Sequence, residues 1–161
     1  MSNERRTIAF GSDHAGFAHR QKIFEFLKSY GYNVIDCGCF KSDNCDYPDY
    51  AIPVAKYISK GIAERGILLC GTGIGMSIVA NKFRNVRAAV CYSNETAALA
   101  SKHNNANILC IGGRFFNTDQ IVRFIQIWLE TPFEGDLGVE RHQRRLDKIR
   151  RFEERFIKKQ K

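Results

Sequence analysis

The stretch that decides the fold is residues 66–76, with the sequence GILLCGTGIGM. Residues 66–69 are an apolar run typical of a short strand buried in a sheet, and residues 76–82 can continue as a helix. A glycine-rich turn between a strand and a helix directs backbone N–H groups and the positive end of the helix dipole toward its occupant. Because Cys70 begins this turn, its thiolate and any oxyanion formed beside it would be stabilised. The same pattern is also compatible with a buried cysteine that only ends a core strand.

The composition is that of an ordinary globular protein, with 161 residues, 44% of them hydrophobic and 26% charged. The longest apolar stretches are far shorter than a membrane span, so we predict one domain over residues 1–161 and no association with a membrane. The N-terminus has no apolar signal segment, and the six cysteines therefore predict reduced thiols in the cytoplasm. The spacing of Cys37, Cys39 and Cys45 does not fit a zinc site, and no metal or other cofactor is expected.

Positive charge is concentrated near the C-terminus. The formal net charge is +8, and residues 140–161 contribute +6 of it, with ten Lys and Arg against four Asp and Glu. Acidic residues interrupt the basic ones, which predicts a final mixed-charge helix over about 137–159, with 141–161 as the basic part, and no nucleic-acid partner. Arg141, Arg144 and Arg145 would share one helix face and could grip a phosphate. A solvated basic face is the simpler alternative.

Strand and helix signals alternate along the chain. The strands are predicted over residues 6–11, 33–36, 66–69, 87–91 and 107–112. The helices before the final one are predicted over residues 17–30, 50–59, 76–82, 94–102 and 118–130. Pro53 is expected in a first helical turn, where proline is tolerated. The alternation predicts an α/β fold, a three-layer αβα sandwich with a Rossmann-like five-stranded parallel sheet, helices on both faces and a basic C-terminal helix.

Polar residues follow three of the predicted strands. In a parallel sheet of this kind the ligand binds beyond the carboxyl ends of the strands. Asp13 and His14 follow the first strand, Cys70 follows the third, and Arg114 follows the fifth, so we expect these side chains at one pocket. Simpler interpretations exist: Asp13 could serve only as a helix N-cap, and His103, at the end of a helix, could only compensate the helix dipole.

The glycine-rich turn does not fit three well-known phosphate-binding motifs. It lacks the final glycine of a dinucleotide fingerprint, and no Gly-Lys-Ser/Thr of a Walker loop follows it. A cysteine phosphatase would need an arginine about where Met76 stands. The turn can hold an anion, but it is not marked as a nucleotide or phosphoester-cleaving site.

Six motifs, in this order, resemble the ribose-5-phosphate isomerase B family of sugar-phosphate isomerases. They are residues 11–17 (GSDHAGF), 46–51 (DYPDYA), 70–87 (CGTGIGMSIVANKFRNVR), 103–107 (HNNAN), 112–114 (GGR) and 141–145 (RHQRR). The resemblance runs from residue 8 to residue 149. It implies a metal-free aldose–ketose isomerase that interconverts D-ribose 5-phosphate and D-ribulose 5-phosphate through an enediolate, a reaction of the pentose phosphate pathway.

The resemblance also implies a role for each site residue. Cys70 would be the base that moves a proton between C1 and C2, and the Thr72 hydroxyl would help to hold the enediolate oxygen. The backbone N–H groups implied at the same oxygen are those of Gly71, Gly73, Ile74 and Gly75. His103, with Asp13, would open the furanose ring, and Asn104 would orient a hydroxyl. The phosphate would be held by His14, Arg114, Arg141 and Arg145.

The family resemblance implies a second copy of the chain as partner, in a homodimer or a tetramer with active sites at the subunit interface. Two features depart from the family pattern: Val139 and Glu140 replace a usual pair of glycines, and Arg144 adds a third arginine. Two alternative functions stay open. One is isomerisation of a hexose 6-phosphate, such as allose or galactose 6-phosphate. The other is a non-enzymatic module that binds a phosphometabolite or nucleic acid through the basic tail.

Overall fold

The computed structural model describes residues 6–158. Its strands are β1 (Thr7–Ser12), β2 (Asn33–Asp36), β3 (Arg65–Cys70), β4 (Ala88–Cys91) and β5 (Ile108–Gly112). Its helices are a 3-10 helix (His14–His19), α1 (Arg20–Ser29), α2 (Pro48–Ser59), α3 (Ile74–Ala80), α4 (Asn94–Lys102), α5 (Thr118–Glu130) and α6 (Glu140–Lys158). The predicted end of the last helix near Lys159 lies outside the described residues. None of the described helices is both long and apolar enough to cross a membrane.

The five strands form one parallel sheet in the order β2-β1-β3-β5-β4. The three central strands are buried on both faces, which explains why their sequences are apolar runs without alternation. Helices α1, α4 and α5 pack on one face, and α2 and α3 pack on the other. The predicted three-layer α/β fold is therefore confirmed.

Side chains of β3 alternate between the two layers. Ile67 and Leu69 belong to the core under α1, α4 and α5, whereas Leu68 and Cys70 belong to the core under α2 and α3. This period of two follows from the pleat of the strand. It directs the Cys70 side chain toward the layer that contains α3, the helix that begins four residues later.

Four details of the predicted helices were wrong. Helix α3 spans Ile74–Ala80 and not residues 76–82, with Gly73 as its N-cap. Pro48, and not Pro53, occupies the first turn of α2, because its fixed φ suits the start of a helix; Pro53 lies in the interior. A 3-10 helix precedes α1 where continuous helix was expected from residue 17. The last helix begins at Glu140 because the preceding residues form a turn in which Gly138 has a φ of 92°.

Candidate active site

The carboxyl ends of β1, β3 and β5 bring a first group of site residues together, which we call the carboxyl-edge cluster (Asp13, His14, residues 70–75 and Arg114). The Asp13 N–H donates to the Leu69 carbonyl at 3.1 Å, and the Gly113 N–H donates to the Cys70 carbonyl at 2.7 Å. These bonds continue the sheet ladder beyond the strands, so the three connections leave it side by side. The expected meeting of Asp13, Cys70 and Arg114 at one edge of the sheet agrees with this arrangement.

The turn after β3 holds the Cys70 sulfur against backbone donors. Cys70 is 4% exposed, and its Sγ accepts a hydrogen bond from the Gly73 N–H at 3.1 Å. The Ile74 N–H donates to the Thr72 hydroxyl oxygen at 3.1 Å. Gly73 and Ile74 therefore already use their amides inside the turn, while Gly75 lies in the first turn of α3, where N–H groups have no partner within the helix. A thiolate at Cys70 would be stabilised by the Gly73 amide.

Gly73 has two separate reasons to be glycine. Its φ of 79° lies in the left-handed region, and a Cβ there would come within 3.0 Å of the Ile111 backbone. Gly73→Ala is expected to lower the free energy of unfolding by about 2–3 kcal/mol, combining the left-handed penalty with backbone crowding. Chemical denaturation measures the loss.

Gly61→Ala is the matched control for Gly73→Ala. Gly61 also has a positive φ, 69°, but a Cβ there meets nothing within 4 Å. The control should lose about 1 kcal/mol, which is the left-handed penalty alone. Equal losses in the two variants would show that the approach to Ile111 costs nothing.

Two basic side chains face each other beside the Cys70 turn. Arg114 places one terminal nitrogen 3.4 Å from His14 Nε2, and its guanidinium lies over Gly71. One terminal N–H of the Arg114 guanidinium points at His14 Nε2, and the Cys45 N–H points at His14 Nδ1 at 3.3 Å. A neutral imidazole has one acceptor nitrogen, so it accepts from only one of these two donors. The imidazole and the guanidinium lie side by side, an arrangement suited to an anion such as a phosphate.

Asp13 has the N-cap function that the sequence allowed. It is 6% exposed, and its Oδ1 accepts a hydrogen bond from the Ala15 N–H at 2.8 Å at the start of the 3-10 helix. The cap fixes the carboxylate beside His14 and does not exclude a role in catalysis. The structure therefore supports the simpler interpretation of Asp13 and leaves its catalytic role a prediction.

Tyr47 contributes to this edge, although the sequence analysis gave it no role. A Cβ at Gly75 would lie 2.6 Å from the Tyr47 ring, so the ring packs directly on the turn after Cys70. The signal was available, because Tyr47 belongs to the second of the six motifs. Only the fold shows that this loop, between β2 and α2, reaches the Cys70 turn.

A second group, the amino-edge cluster (His103, Asn104, Glu134, Arg141, His142 and Arg145), surrounds the end of α4 and the start of α6. The rings of His103 and His142 stack with centroids 4.4 Å apart. Glu134 Oε2 lies 3.7 Å from His103 Nε2 and 3.2 Å from His142 Nε2. His103 also forms the C-cap of α4, so its expected capping position is real.

In the amino-edge cluster, electrostatics favour an ionised Glu134 carboxylate and a neutral His142 imidazole. Burial lowers the pKa of His142, and the positive charges of His103 and Arg141 lower it further. Burial raises the pKa of Glu134, but the hydrogen bond and charge of Lys102 outweigh this effect, and the pKa lies below its usual value. Arg141 Nε donates to His142 Nε2 at 3.2 Å, as expected for an uncharged ring.

His103, Glu134 and His142 are also the one group in the described part of the chain with three side chains close enough to share a metal ion, with ligand atoms within 4.8 Å of one another. Their surroundings argue against a cation. Lys102 Nζ lies 3.3 Å from Glu134, and Arg141 contacts His142. The carboxylate charge is thus already compensated by resident cations, and we assign no metal to these residues.

The two clusters lie at opposite edges of the sheet. Cys70 pairs with Gly112 at the carboxyl end of β5, whereas His103 precedes the amino end of the same strand at Ile108. The four residue steps from Ile108 to Gly112 separate the ends of β5 by about 13 Å, at about 3.3 Å per residue. A single chain therefore does not bring His103, Asn104, Arg141 or Arg145 to the Cys70 sulfur.

A sequence profile of the ribose/galactose isomerase family matches residues 8–149. The chain belongs to this family. Ribose-5-phosphate isomerase B of Escherichia coli is 41% identical over 150 residues, which are 93% of this chain and 98% of the relative. The isomerase B structure from Clostridium thermocellum has 41% identity and a TM-score of 0.87, over 93% of this chain and 99% of that one. The structure from Mycoplasma genitalium, solved with bound ribulose 5-phosphate, has 43% identity and a TM-score of 0.86, over 92% and 96% of the two chains.

Membership of the ribose/galactose isomerase family confirms three expectations from the sequence: the family itself, the α/β fold and the enzyme class, an isomerase. It identifies no individual catalytic side chain. The roles of Cys70, His103 and the phosphate-binding residues therefore stay predictions.

Proposed function

We propose that this family member interconverts D-ribose 5-phosphate and D-ribulose 5-phosphate in the pentose phosphate pathway. The observation that carries the proposal is the carboxyl-edge cluster, which combines a sulfur held by a backbone amide with a pair of anion-binding donors. The Cys70 sulfur supplies the base, and His14 with Arg114 fits the phosphate of the same substrate. The Mycoplasma genitalium relative with bound ribulose 5-phosphate supports this choice of substrate.

The reaction proceeds by three proton transfers: from carbon to sulfur, between two oxygens, and from sulfur back to carbon. The Cys70 thiolate takes the proton from C2 of the open-chain aldose, the C2–H electrons form the C1=C2 bond of an enediolate, and the C1 oxygen takes up the charge. A proton then moves between the two oxygens, the C2 oxygen becomes the carbonyl, and the Cys70 thiol returns the proton to C1. The Gly75 N–H, which has no partner within α3, and the Thr72 hydroxyl stabilise the enediolate oxygen.

We also propose that the working unit is a homodimer, as such or within a tetramer, in which the partner completes each site. Ring opening is the role implied for His103, which lies at the far edge of its own sheet from Cys70. The amino-edge cluster of a second copy would supply His103 together with Asn104, Arg141 and Arg145. Ile74 and Ile78 on α3, next to Cys70, are 55% and 56% exposed, as expected of a surface that a partner covers. The six unpaired cysteines are consistent with our proposal of a cytoplasmic location.

A coupled assay on purified protein tests the substrate. The proposed steps use protein groups alone, so turnover of ribose 5-phosphate should persist after a chelator has removed divalent metals. We expect kcat/KM for the pentose to exceed that for allose 6-phosphate and galactose 6-phosphate by at least about tenfold, the discrimination that one extra carbon unit gives in a shaped pocket. Good hexose turnover with negligible pentose turnover would assign the protein to hexose phosphates instead.

A further inference from the structure

Two cysteines outside the proposed catalytic steps lie in direct contact. The sulfur atoms of Cys39 and Cys45 are 3.0 Å apart, both thiols are free, and Cys45 donates the hydrogen bond. Cys39 is buried and fixed to the sheet, since its N–H donates to the Ser12 carbonyl at 2.8 Å. Cys45 is half-buried at the far end of an exposed loop, residues 40–44. A small movement of this loop brings the sulfurs to the bonded distance of about 2.05 Å.

The surroundings favour a thiolate in this pair. Burial raises the pKa of Cys39, but hydrogen bonds with Cys45, with the backbone of Lys41 and with the Tyr50 hydroxyl outweigh it, and the pKa lies below its ordinary value. The thiolate is the nucleophile in thiol oxidation. The pair thus contains a nucleophile, Cys39, and a resolving thiol in contact with it, Cys45, which is the more exposed of the two.

We propose that Cys39 and Cys45 are a modification site, at which a hydroperoxide produces a reversible disulfide. The thiolate of the pair attacks one oxygen of hydrogen peroxide, the O–O bond breaks, and hydroxide leaves to become water. The resulting sulfenic acid is attacked by the second sulfur, the S–O bond breaks, and a second water forms. Two thiols and one peroxide give one disulfide and two waters, and a small thiol reverses the reaction.

The disulfide would act on the carboxyl-edge cluster through His14. Cys39 is held by the sheet, so Cys45 is the residue that moves, and its N–H is the donor that fixes the His14 ring. Loss of the Cys45 contact releases the His14 ring from its position beside Arg114. This consequence rests on the proposed function, in which His14 holds the substrate phosphate.

Peptide mapping tests the disulfide without an activity assay. Trypsin cleaves after Lys41, so Cys39 lies in the peptide of residues 29–41 and Cys45 in the peptide of residues 42–56. After graded treatment of the folded protein with hydrogen peroxide, mass spectrometry should detect these two peptides joined, and dithiothreitol should separate them. Cys37→Ser, which removes the third thiol of this segment, should leave the link intact, whereas Cys39→Ser and Cys45→Ser should abolish it. A link through Cys37, or none, overturns the proposal.

Kinetics of the same samples test the consequence for the site. Oxidised protein should have a KM for ribose 5-phosphate about three- to tenfold higher than reduced protein, the range for one lost hydrogen bond, with kcat within about twofold. Peroxide-treated Cys39→Ser is the control for oxidation at Cys70, because this variant cannot form the Cys39–Cys45 disulfide. Any change in its kinetics therefore comes from oxidation elsewhere. A link with an unchanged KM overturns the effect on His14. A protein that links but does not isomerise the pentose contradicts the proposed function and not the disulfide.

Discussion

Cys70→Ser is expected to lower kcat for ribose 5-phosphate by at least about 10³-fold, at the upper part of the range for loss of a general base. Serine is nearly the same shape, and its hydroxyl can still accept from the Gly73 N–H, so KM should stay within about threefold. A hydroxyl does not ionise near neutral pH, however, and the proton on C2 then has no acceptor. Steady-state kinetics and calorimetric binding of a sugar phosphate measure the two effects.

Cys37→Ser is the matched control for Cys70→Ser. Cys37 is half-buried and lies outside both clusters, so this exchange should leave kcat within about twofold, as for a thiol without a chemical role. Thermal unfolding of each variant separates loss of catalysis from loss of fold. If Cys70→Ser retains more than about a tenth of kcat while folded, a different group is the base.

The sequence was sufficient to predict the layers of the fold, but not which strands are adjacent in the sheet or which loop residues are in contact. The apolar runs of β1, β3 and β5 predicted buried parallel strands because they are covered on both faces. The order β2-β1-β3-β5-β4 depends on long-range packing that no local period encodes. The contacts of Tyr47 with Gly75 and of Cys39 with Cys45 depend on the irregular loop between β2 and α2. The conformation of such a loop cannot be predicted from hydrophobic periodicity.

The separation of the two clusters could have been predicted in part. In alternating strands and helices, a residue that follows a strand lies at the carboxyl edge, and one that follows a helix lies at the amino edge. Cys70 follows a strand and His103 follows a helix, so their positions in the sequence already place them at opposite edges. Similarity of motifs implied active sites at a subunit interface, but motifs carry no information about which chain supplies each residue.

Mixing two inactive variants, Cys70→Ser and His103→Asn, is expected to restore about one quarter of wild-type activity if the sites form between two chains of a symmetric dimer. Each variant alone should fall below about 1% of wild-type kcat, since each lacks one group used in acid–base catalysis. In a mixed dimer, one site combines both substitutions and the other contains neither. Random exchange makes half of the dimers mixed, and half of their sites are intact.

Separate unfolding and joint refolding of the two variants allows subunits to exchange, and activity is then measured against each variant refolded alone. A double variant with both substitutions, refolded with an equal amount of wild type, is the control, because every site in its mixed dimers lacks one group. Only the wild-type homodimers, about one quarter of all dimers, then stay active, whereas sites formed within one chain would retain about one half of the activity. Cys70 lies at the end of β3 and His103 lies before β5, at opposite edges of the sheet. These two residues of one chain could meet only if the sheet were disrupted, so recovery of activity would show that two chains share each site. No recovery, with dimers shown to mix, would mean that His103 does not act at the Cys70 site of a partner, and the proposed division of the site between two chains would be wrong.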